Sequence, residues 1–314
     1  MIDFIYQLTI AMKEANLFIS GNINQNTNKI QRFKSTKNMN GGLDIFVIVH
    51  FEKGASFGDW RDRDSWVTWW KDKEFKLDKA QQYEYILKRE EFEREKLRRQ
   101  KIAVSRANNF WVNTPSDELV YNHPYIVKKQ INPYYAKAIE KKRWIKGVLL
   151  LPMRDVDYQL KGVQIIKSNG FKRPWKGTTY KNNMIWICCP LPEDYKDIIR
   201  VCEGYATACS IYKVTGDPVV CALNSYNLIN VVNLLRKKYV HALIRICADN
   251  DTWGKENVGI KCAKEAMITS NATISFPEFS ANLSHLKLTD FNDLLIHEGE
   301  EITRNQLILI RDCL

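Results

Sequence analysis

A chain of 314 residues with 45% hydrophobic and 11% aromatic content can bury a substantial core, which excludes a largely disordered polymer. Its formal net charge of +11 points either to solvated lysines or to a polyanionic partner, most often nucleic acid. No apolar run approaches the length of a membrane span, and the opening Met1-Ile2-Asp3-Phe4 lacks the regions of a secretory signal, so the expectation is a cytoplasmic protein with no membrane partner.

Phe4, Leu8, Ala11, Met12 and Ala15 recur at helical spacing and predict a helix over 3–20. Residues 29–33 and 43–51, rich in β-branched and aromatic side chains, read as strands. Gly54-Ala55-Ser56-Phe57-Gly58-Asp59-Trp60-Arg61 reads as a tight connection leading into another short strand. Trp66, Trp69 and Trp70 are expected in the core, the alternative being a base-stacking platform. Residues 1–77 are therefore expected to form a small N-terminal α/β module.

Residues 78–115 change character. Glu84/Lys88, Glu90/Arg94 and Glu95/Arg99 stand at i,i+4 and support an exposed helix, while apolar positions are too sparse for a coiled coil. The expectation is a charged, mostly solvated linker helix with a basic end at Lys96, Arg98, Arg99, Lys101 and Arg106. A basic β-rich subdomain is expected over 116–195. It opens with His123-Pro124-Tyr125-Ile126 and a helix-like stretch to Lys142. Residues 146–152 and 160–166 then read as a hairpin across Arg154-Asp155-Val156-Asp157. Asn169-Gly170-Phe171-Lys172-Arg173-Pro174-Trp175-Lys176-Gly177 reads as a basic loop with aromatics, a composition suited to a nucleic-acid backbone or a nucleoside triphosphate.

Over 196–314 strands and helices alternate regularly. Strands are expected at 198–202, 219–223, 242–248 and 273–276, with helices at 205–214, 227–238 and 256–269. This order implies a parallel sheet with helices on both faces, and ligands of such sheets bind beyond the carboxyl ends of the strands. Glu203, Asp249 and Asp251 fall there, and Asp290-Phe291-Asn292-Asp293-Leu294 adds a third acidic cluster. Asp249 and Asp251, two positions apart, can hold one Mg²⁺ and leave positions open for phosphate oxygens. The competing reading makes Asn250 or Asp251 a helix cap. The eight cysteines, Cys188, Cys189, Cys202, Cys209, Cys221, Cys247, Cys262 and Cys313, show no C-x-x-C pair and no zinc-finger spacing, so free thiols and no zinc are expected.

Val201-Cys202-Glu203-Gly204-Tyr205-Ala206-Thr207-Ala208, Ala248-Asp249-Asn250-Asp251 and Asp290-Phe291-Asn292-Asp293-Leu294 together resemble a Toprim domain, and more closely the Toprim DNA primases of phages, plasmids and other mobile elements. Pro218-Val219-Val220-Cys221-Ala222-Leu223-Asn224 and Asn257-Val258-Gly259 fit the same pattern. Upstream, Leu151-Pro152-Met153-Arg154-Asp155, Gln164-Ile165-Ile166 and Gly170-Phe171-Lys172 are similar to the basic region that precedes Toprim in primases. Phe57-Gly58-Asp59-Trp60-Arg61 is similar to an N-terminal motif of the mobile-element proteins.

The resemblance implies an α/β fold in which a Toprim domain follows a basic α+β primase-type region and the small N-terminal module. It implies a metal-dependent nucleotidyltransferase that makes short primers on single-stranded DNA from nucleoside triphosphates, using Mg²⁺ or Mn²⁺, with a replicative helicase as a further partner. Glu203, Asp249 and Asp251 would be catalytic and bind metal, Asp290 and Asp293 would bind metal as the auxiliary acidic pair, and Arg154, Lys172, Arg173 and Lys176 would face template or nucleotide. The chain departs from replicative bacterial primases in having Thr207 where an aspartate often stands, in lacking a zinc ribbon, and in lacking the G-x-x-x-x-G-K-[ST] loop of a helicase motor. Two alternative readings remain: a non-catalytic nucleic-acid-binding replication factor with a Toprim fold, and a Toprim nuclease.

Overall fold

The computed structural model describes residues 4–25, 29–36, 42–50, 53–60, 62–71, 79–116, 118–141, 144–253 and 257–310. Phe51, Arg61, Lys142, Glu256 and Cys313 lie outside them, and so do the side chains of Glu84 and Lys88. The chain divides into two compact units, Met1–Glu91 and Phe92–Leu314. Among the described residues no helix is long and apolar enough to cross a membrane.

The first unit ends within a long helix and is otherwise built from helix α1 (Phe4–Glu14) on an antiparallel sheet of five strands in sequence order: β1 (Ile19–Ser20), β2 (Gln31–Ser35), β3 (Ile45–His50), β4 (Gly54–Asp59) and β5 (Asp62–Trp70). Phe4, Leu8, Ala11 and Met12 pack on Phe33, Ile45, Val47, Ala55 and Phe57. The helix is shorter than its apolar spacing predicts. Asn16 turns to φ 62° and the Leu17 N–H closes on Met12 O at 2.9 Å, so the chain leaves the helix before Ile19. The tryptophans divide as a pleated strand requires. Trp69 packs against the core beneath α1, whereas Trp66 and Trp70 stand on the opposite face, which corrects the expectation that all three are core.

Helix α2 (Lys79–Asn113) carries the predicted Glu95–Arg99 ion pair at 2.7 Å, with Arg99 largely in solvent and Glu95 partly so. Its last turns are not a solvated linker. Ala107 is fully buried, Phe110 and Trp111 pack with Val148, Leu150, Val163 and Ile165, and Asn108 Nδ2 donates to Leu160 O at 2.8 Å.

Helix α3 (Pro124–Lys129) ends much earlier than the basic stretch suggests. Gln130 takes the left-handed conformation at φ 50° and its N–H caps the helix, and the chain then enters strand β6 (Lys137–Lys141). The predicted hairpin forms from β7 (Trp144–Arg154) and β8 (Leu160–Lys167). The segment read as a basic loop contains strand β9 (Lys172–Pro174), paired antiparallel to β8 with Ile165 opposite Arg173 and Ile166 opposite Lys172. This places Lys172 and Arg173 on opposite faces of the sheet.

The second sheet of this unit runs β10 (Ile185–Ile187), β12 (Val219–Cys221), β11 (Ile198–Cys202), β13 (Leu243–Cys247) and β14 (Thr273–Ser275). Its last four strands are parallel, as the alternation predicts, but β10 pairs antiparallel to β12 at one edge. Helices α4 (Tyr205–Thr215) and α7 (Phe291–Ile308) cover one face, and α5 (Ser225–Lys238) and α6 (Val258–Ser270) the other. Leu149, Leu151 and Ile166 of the hairpin share a core with Tyr205 and Phe291, so hairpin and parallel sheet are one packed body. Arg200, buried, pairs with Asp217 at 2.7 Å, and its Nη1 with that of Arg245 holds Leu307 O at the end of α7, each at 3.0 Å.

Candidate active site

Cys202, Cys221 and Cys247 lie level across β11, β12 and β13, each fully buried. Register alone therefore brings Glu203, one residue past β11, and Asp249, two past β13, to the same sheet edge. Each meets a different helix. Glu203 accepts a hydrogen bond from the Ser225 N–H at the start of α5. Asp249 lies against α6: a Cβ on Gly259 would stand 2.4 Å from Asp249 O, so only glycine lets the helix approach this closely.

The Asp249-Asn250-Asp251 segment is not a helix cap. Asn257 caps α6, accepting from Ile260 N at 3.2 Å, and also accepts from Asp251 N at 3.2 Å. Its Nδ2 donates to Asn250 Oδ1 at 2.8 Å, while Asn250 N donates to Thr289 O and Asn250 Nδ2 to Pro277 O, at 2.8 and 2.9 Å. Asn250 is thus consumed in bracing the turn, which frees the aspartates on either side of it from local structural duty.

The carboxylates act on one another. Burial raises the Glu203 carboxyl above its ordinary range, Lys172 opposes this, and Asp251 and Asp290 add to it. Burial lifts Asp249 well above its ordinary value, and Glu203, Asp290 and Asp251 lift it further against the pull of Lys172. Asp249 keeps some exposure as a residue, yet its Oδ1 is sealed from solvent and has no hydrogen-bond partner. A buried carboxylate oxygen without a donor is costly unless a cation or a proton answers it.

Asp290 sits at the other end of the cluster, raised by burial and lowered by Lys129. Lys129 Nζ lies 3.7 Å from Asp290 Oδ2 and 3.1 Å from Asp293 Oδ1. Burial disfavours its charge, but the two aspartates outweigh this and hold the amine above the ordinary lysine value. Asp290 also caps α7, accepting from Asp293 N at 2.8 Å, and Asp293 Oδ2 accepts from Thr289 N at 3.2 Å. The Thr207 hydroxyl donates to Asp290. The residue that departs from the replicative pattern is therefore part of the cluster, as a neutral donor.

Residues 198–301 match the family model described as the Toprim domain. They form a Toprim domain. Among solved structures, the chain is similar to the Aquifex aeolicus primase comprising zinc-binding and RNA polymerase domains, at 13% identity over 99% of this chain and 86% of that one, with a TM-score of 0.45. It is similar to the DnaG primase catalytic domain bound to single-stranded DNA, at 11% identity over 69% and 80% with a TM-score of 0.46. It is also similar to the primase fragment of the bacteriophage T7 primase–helicase protein, at 11% identity over 62% and 72% with a TM-score of 0.42.

The hard oxygen donors of the Toprim edge, with the orphaned Asp249 Oδ1 among them, suit a divalent cation in kind. As they stand, no three histidine, cysteine or carboxylate side chains among the described residues are close enough together to hold one ion. Among the described residues no lysine pairs directly with Glu203, Asp249 or Asp251, whereas Lys129 already answers Asp290 and Asp293.

The predicted basic residues do not share one surface. Lys172 faces the Toprim edge: its Nζ lies 3.9 Å from where a Gly204 Cβ would be and 5.6 Å from the Tyr125 ring centre. Arg173 and Lys176 line a cavity of about 790 Å³ on the other face of the sheet, with Trp175, Phe110 and Arg106. Arg154 Nη1 donates to Tyr158 O at 2.7 Å within its own turn. Sequence reasoning missed Lys129, and no local signal marks it, because its partners are more than 160 positions away. Asn292 ties it in: its Nδ2 donates to Lys129 O at 2.8 Å and to Ser210 Oγ at 2.9 Å.

Gly259→Ala is expected to push α6 off Asp249, costing about 1–3 kcal/mol as overpacking does. It should also erase any rise in melting temperature on adding Mg²⁺. A melting curve that matches wild type with and without Mg²⁺ would show that the close approach is not needed.

Proposed function

We propose that the chain is a DNA primase: a metal-dependent nucleotidyltransferase that starts short primers on single-stranded DNA of a phage or other mobile element. The observation that carries this reading is the pairing of an acidic Toprim edge with one lysine, Lys172, directed at it from the preceding basic sheet. Glu203, Asp249 and Asp251 would hold a Mg²⁺ or Mn²⁺ ion. When bound, such an ion polarises the reacting phosphate and neutralises charge on the attacking and leaving oxygens.

The chain's own residues supply the rest. Lys172 is placed to hold a nucleotide phosphate beside Glu203, donating charge-assisted hydrogen bonds. Ser225 N–H fixes the Glu203 carboxylate, and Asn257 fixes the backbone that presents Asp251. Lys129 and Thr207 keep Asp290 in place at the end of the cluster. A site of this kind needs a nucleophilic hydroxyl from one nucleotide in line with the phosphate of the next, and positioning is the protein's main contribution to such transfers.

The test is incubation of the protein with single-stranded DNA, labelled nucleotides and Mg²⁺ or Mn²⁺, beside Asp249→Ala/Asp251→Ala. New oligonucleotides lost in the variant are the expected result. Shortened template would make the protein a nuclease, and binding with neither product would make it a non-catalytic replication factor.

A further inference from the structure

We propose that the face of the N-terminal sheet opposite α1 is a stacking platform for single-stranded nucleic acid, with Trp60 and Trp66 as the base-contacting residues. Strand alternation divides the sheet cleanly. Ile45, Val47, Ala55 and Phe57 point to α1 and the core. Their neighbours Phe46, Ser56 and Gly58 point the other way, together with Arg32 on β2 and Trp66 and Thr68 on β5. Helix α1 packs on the core face, and on the second face Trp60 and Trp66 stay open to solvent.

The aromatic cluster on it has a built geometry. Phe46 lies 4.7 Å from Trp60 and 5.0 Å from Trp66, and the two indoles meet edge to face at 5.2 Å and 90°. A Cβ on Gly58 would fall 2.6 Å from Trp66 Cδ1, so the glycine lets Trp66 lie down on the sheet. Trp66 Nε1 is fixed by Asp59 O at 3.0 Å. Phe46 is the floor at 4% exposed, while Trp60 and Trp66 keep 37% and 45% exposure. An indole pair held this rigidly yet left open is more than a satellite core, since a core would cover it.

The chemistry around the rings selects the occupant. Arg32 Cζ stacks over Trp60 at 5.0 Å, and Lys34 follows two residues along on the same face, so cations stand beside the rings as phosphates stand beside bases. Next to the cluster, His50 Nε2, Ser56 Oγ and Thr68 Oγ1 form a hydrogen-bonded line at 2.8 and 3.0 Å, a polar track that can meet base edges or sugars. An apolar protein partner would bury these cations and hydroxyls without answering them. A single strand answers rings, charge and hydroxyls together. The choice of single-stranded nucleic acid agrees with the primase reading, but the platform belongs to the first compact unit and the Toprim edge to the second, and the platform is tested without catalysis.

The experiment measures binding of the full chain to fluorescein-labelled oligodeoxythymidylate by anisotropy, in chelator and without nucleotides, beside an abasic oligomer of equal length. Stacking is worth about tenfold or more in affinity per ring. Wild type should bind the base-bearing strand at least about tenfold tighter than the abasic one, and Trp66→Ala should lose most of that difference. Trp66→Phe should restore part of it, and Arg32→Ala should flatten the salt dependence. Equal affinity of wild type for abasic and base-bearing strands would overturn the proposal, whether or not the variants fold. So would Trp60→Ala/Trp66→Ala that folds and binds like wild type. Synthesis of primers with no base-dependent binding would sink the platform alone, and base-dependent binding with no synthesis would sink the primase reading alone.

Discussion

Asp249→Asn is expected to raise the melting temperature of the metal-free protein while reducing primer synthesis about a thousandfold. The substitution keeps the shape of the side chain and removes a charge pressed by Glu203, Asp251 and Asp290. Relief of that repulsion in a half-buried setting is of the order of 1–2 kcal/mol, which for a body this size is about 2–8 °C. Loss of a metal-binding carboxylate removes several kcal/mol of charge stabilisation in the transition state. The same logic gives the pH dependence. Glu203, Asp249 and Asp290 hold their protons to higher pH in the fold than in the unfolded chain, where carboxyls ionise in the ordinary range. Between those values the folded state binds more protons, so the stability of the metal-free protein falls as pH rises through the raised range and is fully kept below the ordinary one. Melting curves in chelator across mildly acid to neutral pH read this directly. Asp249→Asn should flatten the fall, and added Mg²⁺ should reverse it in wild type only. A variant melting lower than wild type in chelator would mean that Asp249 is held by contacts and not opposed by charge.

The second large effect is expected at Lys129. Lys129→Met removes the amine that, among the described residues, reaches both Asp290 and Asp293, leaving two largely enclosed carboxylates without that counter-charge. The pair is neither fully exposed nor fully buried, so the cost falls between the two limits, at about 2 kcal/mol. Because Asn292 and Ser210 join the Lys129 backbone to α7 and α4, the change should also loosen the junction between the basic region and the Toprim domain. Lys129→Arg should recover most of the stability, since charge is what the aspartates need. Chemical denaturation of the three proteins checks this. Stability of Lys129→Met equal to wild type would show that solvent serves the aspartates as well as lysine does.

The Toprim region was the most legible in sequence, because buried parallel strands are short apolar runs and Gly216 marks the end of α4. Its acidic edge was legible for the same reason: residues that follow such strands must converge. What local pattern cannot carry is partnership across long separations. The Lys129–Asp293 pair, the Asn257 brace and the antiparallel edge strand β10 all depend on how distant segments pack. The basic segment Lys172–Lys176 misled in a different way. Charge and aromatics suggested one surface, but pairing of β9 with β8 alternates its side chains, sending Lys172 to the acidic edge and Arg173 to the opposite face. The tryptophans near residue 66 show the same rule, with Trp69 in the core and Trp66 outside it.

The most direct test of the Toprim edge as a metal centre is a Mn²⁺ titration of the full chain followed by electron paramagnetic resonance of the free ion. Wild type should take up Mn²⁺, Asp249→Ala/Asp251→Ala should not, and Arg173→Ala/Lys176→Ala, altered on the far face of the sheet, should match wild type. Equal uptake by wild type and the double aspartate variant, or no uptake by wild type, would contradict the assignment.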